Sequence, residues 1–401
     1  RVPCKGPRRA CNARAATGRW PCRSVAERSR AAPNCFQPPQ VVLFTGDRLH
    51  APGRQPPHIQ PGAERAMYER ILDTLRHWQT QIGFSSAAAG ADILFLEALQ
   101  ELGAETNIVL PHPPELFIQT SVACADDAHA DWVKRFERAL DNARQVTVLA
   151  DSVGDELTYH FTGLVMAGLA TLRSSQLYGE LRTLTAQDLD AGHVGGADEP
   201  TPVTPQAAQG VGTAKELLRS DRQRIISMLF ADAVGFSKLA ENQIPLFVER
   251  FLGGVRAVMD RQAQAPLTCN TWGDGLYFTF DSVVQANDFA LDLSDFVNSM
   301  NWASDGLPAE MSLRIGLHAG PAFEILDPVT RLRCFNGSHV SRAAPIEPVT
   351  PPGYVYCSEA HAALVALENN AAYHCEFVGN LPFAKNYGVF PTYSLKRRAA
   401  I

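Results

Sequence analysis

A chain of 401 residues, 46% hydrophobic and 19% charged, has room for two domains with proper cores and the composition of a globular protein. A net charge of −6 gives no reason to expect nucleic acid as a partner. The most apolar stretch, Phe161 to Leu172, falls well short of the roughly 20 residues a membrane-spanning helix needs, so no membrane span is expected. The nine cysteines, without a C-x-x-C pair, argue against a disulfide scaffold or zinc ribbon and fit a reducing, cytoplasmic setting.

Residues 1–35 carry eight Arg, one Lys and a single acid, Glu27, with no periodic apolar face. Residues 1–39 therefore read as a disordered or non-native Arg-rich segment, a transit peptide or basic arm being the other readings. From Val41 the character changes. Val41 to Thr45 predicts a strand, and Met67, Ile71, Leu75, Trp78 and Ile82 recur at helical steps, which predicts a helix over 64–82. A small-residue loop, Ser85 to Gly90, then opens into a helix over 93–102 and a strand over 107–110. A helical stretch at 132–140, a strand at 146–149 and a helix at 156–172 complete an α/β pattern, a Rossmann-like three-layer domain over 40–187. Small residues at Ser85 to Gly90 suit either a ligand phosphate at a helix N-terminus or close packing.

Phe44-Thr45-Gly46-Asp47, Ala89 to Ala98 and Trp132 to Arg135 resemble the SLOG-type Rossmannoid sensor domains over about residues 40–175. The resemblance implies a nucleotide-derived ligand on this domain. Residues 188–221, rich in Gly, Ala, Pro, Thr and acids without an apolar period, read as a linker.

The remainder, 222–396 with a tail at 397–401, reads as α+β. A strand over 225–230, a helical stretch over 245–261, strands over 267–271 and 276–280, a helix over 283–298 and a strand over 311–317 give a ferredoxin-like βαββαβ core. Asp232 follows the first strand, and Asp274 sits in the tight turn Trp272-Gly273-Asp274-Gly275. Two convergent carboxylates suit a hard divalent cation, although Asp is also an ordinary turn residue. His318 and His339 have no Cys or His companion at ligand spacing and read as packed or surface histidines, and Cys334 as a semi-buried thiol.

Phe230 to Phe236, Gly273-Asp274-Gly275, Arg314 to Gly320 and Gly337 to Ala344 follow one another as in the class III adenylate/guanylate cyclases, which this half resembles. Pro352 to Ser358 and Ala384 to Gly388 look like the closing elements of bacterial members. The resemblance implies a homodimer that converts ATP or GTP to a 3′,5′-cyclic nucleotide and pyrophosphate with two Mg²⁺ or Mn²⁺ ions per site. By position, Asp232 and Asp274 match the metal ligands, and Ala233, Val234, Gly235 and Phe236 match the segment around the triphosphate. Asn270 and Cys334 fall on the base-selecting positions, in a combination that fits neither purine outright. Ser341 stands where the family has an orienting Asn and Pro345 where it has an Arg. Arg342 is a nearby substitute for the missing cation. Two further readings stand beside the enzyme: a lapsed cyclase-homology domain that binds nucleotide as a sensor, and a dimerisation scaffold.

Overall fold

A computed structural model describes residues 38–46, 61–123, 131–190, 223–368, 372–383 and 388–398, all within one compact unit, Pro38–Ile401. The Arg-rich segment up to residue 37, Asp47, the linker over 191–222 and the motif residues 384–387 lie outside the described residues.

Val41 to Phe44 are almost fully buried, as expected of a strand covered on both faces. They form the centre of β1 (Gln40–Thr45), in a parallel sheet of order β4-β3-β2-β1-β5 with β2 (Thr80–Ser85), β3 (Glu105–Leu110), β4 (Gln145–Val148) and β5 (Glu180–Thr185). Helices α1 (Pro61–His77), α2 (Ala91–Glu101) and α4 (Trp132–Asp141) cover one face, and α3 (Pro114–Phe117) is a single turn after β3. The other face is covered by α5 (Glu156–Gln176), which is followed after β5 by α6 (Ala186–Asp190). This parallel sheet with helices on both faces is consistent with a Rossmann-like domain.

Two elements differ from expectation. The helix predicted to reach Ile82 stops at His77, because Gln79 adopts φ +53°, a left-handed conformation that turns the chain into β2. Trp78 and Ile82 continue the helical spacing only by coincidence. The second is β5, which was not anticipated: it pairs along the whole of β1 and occupies the stretch just before the expected linker.

The second sheet holds β6 (Gln223–Val234), β7 (Thr268–Trp272), β8 (Gly275–Phe280), β9 (Ser312–Leu326), β10 (Arg333–Asn336), β11 (Val355–Ser358), β12 (Tyr373–Phe383) and β13 (Gly388–Arg397), in the order β12-β13-β11-β9-β6-β8-β7 with β10 paired to β9. Its central run, β9-β6-β8-β7, is antiparallel throughout, the strand order of a ferredoxin-like core. Helices α7 (Ile244–Leu246), α8 (Gly253–Arg261) and α9 (Val283–Ser299) pack on one face around Phe247, Phe251, Phe278 and Phe289. β6 runs through to Val234, so Asp232 lies inside the strand rather than in the turn after it. On the opposite face sits α10 (Ser338–Ala343), followed by a 3₁₀ segment, Ala344–Val349. Last comes α11 (Glu359–Leu367), which lies between this sheet's core and α5 of the first.

Candidate active site

In the β6–β8 ladder Asp232 stands opposite Gly275, and the Ala233 N–H donates to the Asp274 carbonyl across 3.2 Å. The two acidic segments are thereby held side by side. Both chain reversals depend on glycine, with Gly235 at φ +98° and Gly273 at φ +67°, values at which a Cβ is disfavoured. The Phe236 ring lies edge-on to Phe247, with centroids 4.8 Å apart, anchoring the 233–236 segment in the core. Asp274 has no side-chain hydrogen bond or ion pair among the described residues.

Asp232 is not free. Arg314, directly opposite on β9, donates from Nη2 to Asp232 Oδ2 at 2.6 Å. Its Nε lies 2.9 Å from Glu347 Oε1, yet that contact is off the N–H axis, so among the described residues these two buried atoms have no hydrogen-bond partner. Glu347 reaches Arg314 because Gly316 lets the 3₁₀ segment settle directly on β9. A Cβ at Gly316 would stand 2.7 Å from the Glu347 nitrogen and 3.0 Å from Ile346 Cβ. Burial pushes the Glu347 carboxyl up to about 7 against the pull of Arg314, and the charges of Asp232 and Asp274 push it the same way. Neither Arg314 nor Glu347 stands out in the sequence as a site residue. Arg314 belongs to one of the ordered motifs, but only the fold brings Glu347 to it.

Asn270 on β7 pairs with Tyr277 on β8, so their side chains share a face of the sheet. Cys334 on β10 faces Ile325 of β9 and lies close enough to Tyr277 for their charges to interact; burial and then Asp327 raise its thiol. Tyr277 is 4% exposed and its hydroxyl has no partner among the described residues. The two expected base-selecting positions thus flank an unpaired buried hydroxyl that sequence reasoning did not find.

Ser341 is exposed on α10, and Pro345 sits in the first turn of the 3₁₀ segment, where a missing N–H costs nothing. Arg342 points elsewhere: its guanidinium donates to the Val148 carbonyl at the end of β4, at 3.1 Å, and pairs with Asp151 just after that strand. The structure therefore brings Asp232, Asp274 and the 233–236 turn together and does not bring Arg342 to them. Among the described residues no three His, Cys, Asp or Glu side chains gather as a metal cluster.

The ordered motifs of 230–236, 273–275, 314–320 and 337–344 all converge on the β6, β8 and β9 strands. Residues 218–396 match the adenylate and guanylate cyclase catalytic domain. The chain is 30% identical over 146 residues to the receptor-type guanylate cyclase gcy-6 of Caenorhabditis elegans, covering 34% of the chain and 13% of that protein. It is 28% identical over 181 residues to gcy-8 of the same organism, covering 42% and 15%. The chain thus spans only a small part of these relatives. Among solved structures, the guanylate cyclase domain of RhGC from Catenaria anguillulae in complex with GTP aligns at 18% identity and TM-score 0.36, over 44% of this chain and 97% of that one. The adenylyl cyclase CyaB from P. aeruginosa aligns at 15% and 0.39, over 44% and 96%.

Outside the matched stretch, the small-residue loop that suited either a phosphate or close packing holds an anion of its own. Asp92, 6% exposed, accepts from the Gly46 N–H at 3.1 Å, the Ala88 N–H at 3.2 Å and the Ser86 hydroxyl. Backbone donors that a phosphate would need are already committed to this carboxylate. The Trp132–Arg135 stretch is likewise used internally: Arg135 bonds Glu97 at 2.5 Å and 2.8 Å and Glu64 at 2.7 Å, and stacks over Trp132. No helix among the described residues is long and apolar enough to cross a membrane.

Proposed function

We propose that the chain is a class III nucleotidyl cyclase that converts ATP or GTP to a 3′,5′-cyclic nucleotide and pyrophosphate as a homodimer. The observation carrying this reading is the meeting of Asp232 and Asp274 at adjoining strands inside the matched domain. The donor set fits Mg²⁺ or Mn²⁺: two hard carboxylates, one without a partner, with the remaining coordination left to water and phosphate oxygens. Such ions, two per site, lower the pKa of an attacking hydroxyl and offset charge on the leaving group. In this reading the 233–236 backbone takes the triphosphate, while Asn270 and Cys334 offer hydrogen-bonding groups to a purine edge. Ser341 can donate one hydrogen bond in the transition state; Pro345 offers neither charge nor donor.

The arm made by β9 and β10 supports a second copy as partner, since Leu326, Val329 and Leu332 are 65%, 88% and 61% exposed near its tip. We assign residues 40–187 a regulatory role, supported by the burial of α5 between the parallel sheet and α11 of the cyclase domain.

A second reading is favoured by one specific observation. Arg342, the only cation near the missing one within α10, is held by Asp151, which suits a lapsed catalyst that binds nucleotide without turnover. Both readings meet one test. Purified protein with ATP or GTP and Mn²⁺ is expected to form cyclic product slowly, Asp232→Ala to abolish it, and Pro345→Arg to raise the rate by up to about 100-fold. Nucleotide binding without product, with turnover appearing in Pro345→Arg, selects the lapsed catalyst. No nucleotide binding by the wild-type protein removes both.

A further inference from the structure

Asp232 bears a resident cation. Arg314 Nη2 occupies Oδ2 of the carboxylate at 2.6 Å, on a side chain only 28% exposed. An incoming divalent ion that takes this carboxylate through Oδ2, or through both oxygens, competes with the guanidinium, and the two positive charges repel. A guanidinium displaced in this way needs another partner. Across it lies Glu347, 14% exposed, whose Oε1 is 2.9 Å from Arg314 Nε but misaligned, leaving donor and acceptor both unpaired. A small rotation of the guanidinium away from Asp232 aligns this contact and completes a paired arrangement of the kind Arg favours. Gly316 enforces the geometry by holding the Glu347 backbone against β9.

We propose that Arg314 is the stand-in counter-ion of Asp232 and that Glu347 is the positioning residue that receives it when a cation binds. The proposal rests on the metal reading above and adds to it an exchange built from this chain's own residues. Without metal, Arg314 neutralises Asp232 and keeps the unliganded carboxylates from repelling one another. With metal, the ion replaces the guanidinium, and Glu347 prevents a stranded positive charge beside it.

The exchange is read by Mn²⁺ binding to the full chain without nucleotide, followed by the loss of the free-ion electron paramagnetic resonance signal. Glu347→Gln is expected to weaken Mn²⁺ binding by about tenfold, the scale of one charge-assisted contact, because Arg314 then stays on Asp232. Glu347→Asp keeps the charge and controls for folding, with affinity within a fewfold of wild type. The deciding variant is Arg314→Gln with Glu347→Gln: affinity returns to wild type or better if Glu347 acts through Arg314. Affinity that stays low in the double variant would make Glu347 itself a ligand and overturn the exchange, as would unchanged binding in Glu347→Gln. Absence of Mn²⁺ binding in the wild type would instead overturn the metal reading on which the exchange rests.

Discussion

Gly316 shows how one missing side chain shapes the candidate site. It sits on β9 between Arg314 and His318, and the 3₁₀ segment rests on it so closely that a Cβ would come within 2.7 Å of the Glu347 backbone nitrogen. Backbone atoms cannot yield as the end of a flexible side chain can, so Gly316→Ala should lift the 344–349 segment and carry Glu347 off Arg314. The expected cost is about 1–3 kcal/mol, as for other overpacking changes, read as a lower urea midpoint at unchanged slope. An unchanged midpoint would mean that the segment is not seated on the strand. Residues at this scale differ in how well the sequence announced them. Asp232 and Asp274 were legible because each sits beside turn glycines at the end of an apolar run. Glu347 was not, since it lies in an irregular segment with no period of its own and meets Arg314 only through the packing at Gly316. Tyr277 was hidden for a related reason: its place between Asn270 and Cys334 follows from strand pairing, and nothing local marks its hydroxyl.

Among the elements, α5 has the most demanding position, because both of its faces are buried. Phe161, Val165 and Leu169 belong to the core shared with the parallel sheet, while Gly168 lies against α11 so tightly that a Cβ there would stand 2.1 Å from the Ala363 carbonyl oxygen. Its period and length were readable from the apolar run. That it has two faces to satisfy was also implicit, since the run is apolar nearly all round, a pattern that marks a buried helix. What the sequence did not disclose was the second partner, Ala360 and Ala363 of α11, which lie almost 200 residues further along the chain. Gly168→Leu is therefore expected to separate α5 from α11 rather than merely loosen one core. Hydrogen exchange should rise in both helices together. Faster exchange confined to α5 would show that the crossing is dispensable. Strands were legible where apolar runs were continuous, as at β1 and β8. β5 escaped because Glu180–Thr185 alternates weakly and buries only Leu184 deeply, so its strand character comes from pairing with β1.

For the molecule as a whole, the two sheets are joined by polar contacts as well as by α5. Gln145 and Thr147 on β4 donate to the buried Glu359 at 2.6 Å and 3.1 Å, and Arg342 ties α10 to Val148 and Asp151. Behind this seam lies a group of buried imidazoles. His318 and His339 share a hydrogen bond of 2.9 Å, and His318 also bonds Ser358. His361 bonds Asn287 at 2.9 Å and Ser227 at 3.2 Å, and the His339 ring meets Phe161 of α5 edge-on. Burial holds His339 and His361 down to about 3 from 6.5, and lowers His318 as well, with its neighbours' positive charge adding to the effect. Because these folded values lie below the unfolded one, the unfolded chain binds the extra protons. The contribution of His339 and His361 is complete above about pH 6.5 and is lost as pH falls toward 3, and His318 acts in the same direction. Glu347 acts in the opposite sense: its raised value, from 4.5 to about 7, makes its ionisation costly as pH rises through that window. Asp92 and Glu359, also raised by burial, oppose the imidazoles too. These carboxyls have largely ionised in the unfolded chain only above about pH 4.5, so the three imidazoles dominate most clearly in the lower part of the window. Unfolding free energy measured by urea should fall steeply from pH 5 to pH 4, because the unfolded chain takes up protons that the folded imidazoles do not. His361→Gln keeps a polar partner for Asn287 but cannot take a proton, so its slope over that range should be shallower by about one proton. An equal slope in the variant would mean that His361 takes up no proton on unfolding in that range.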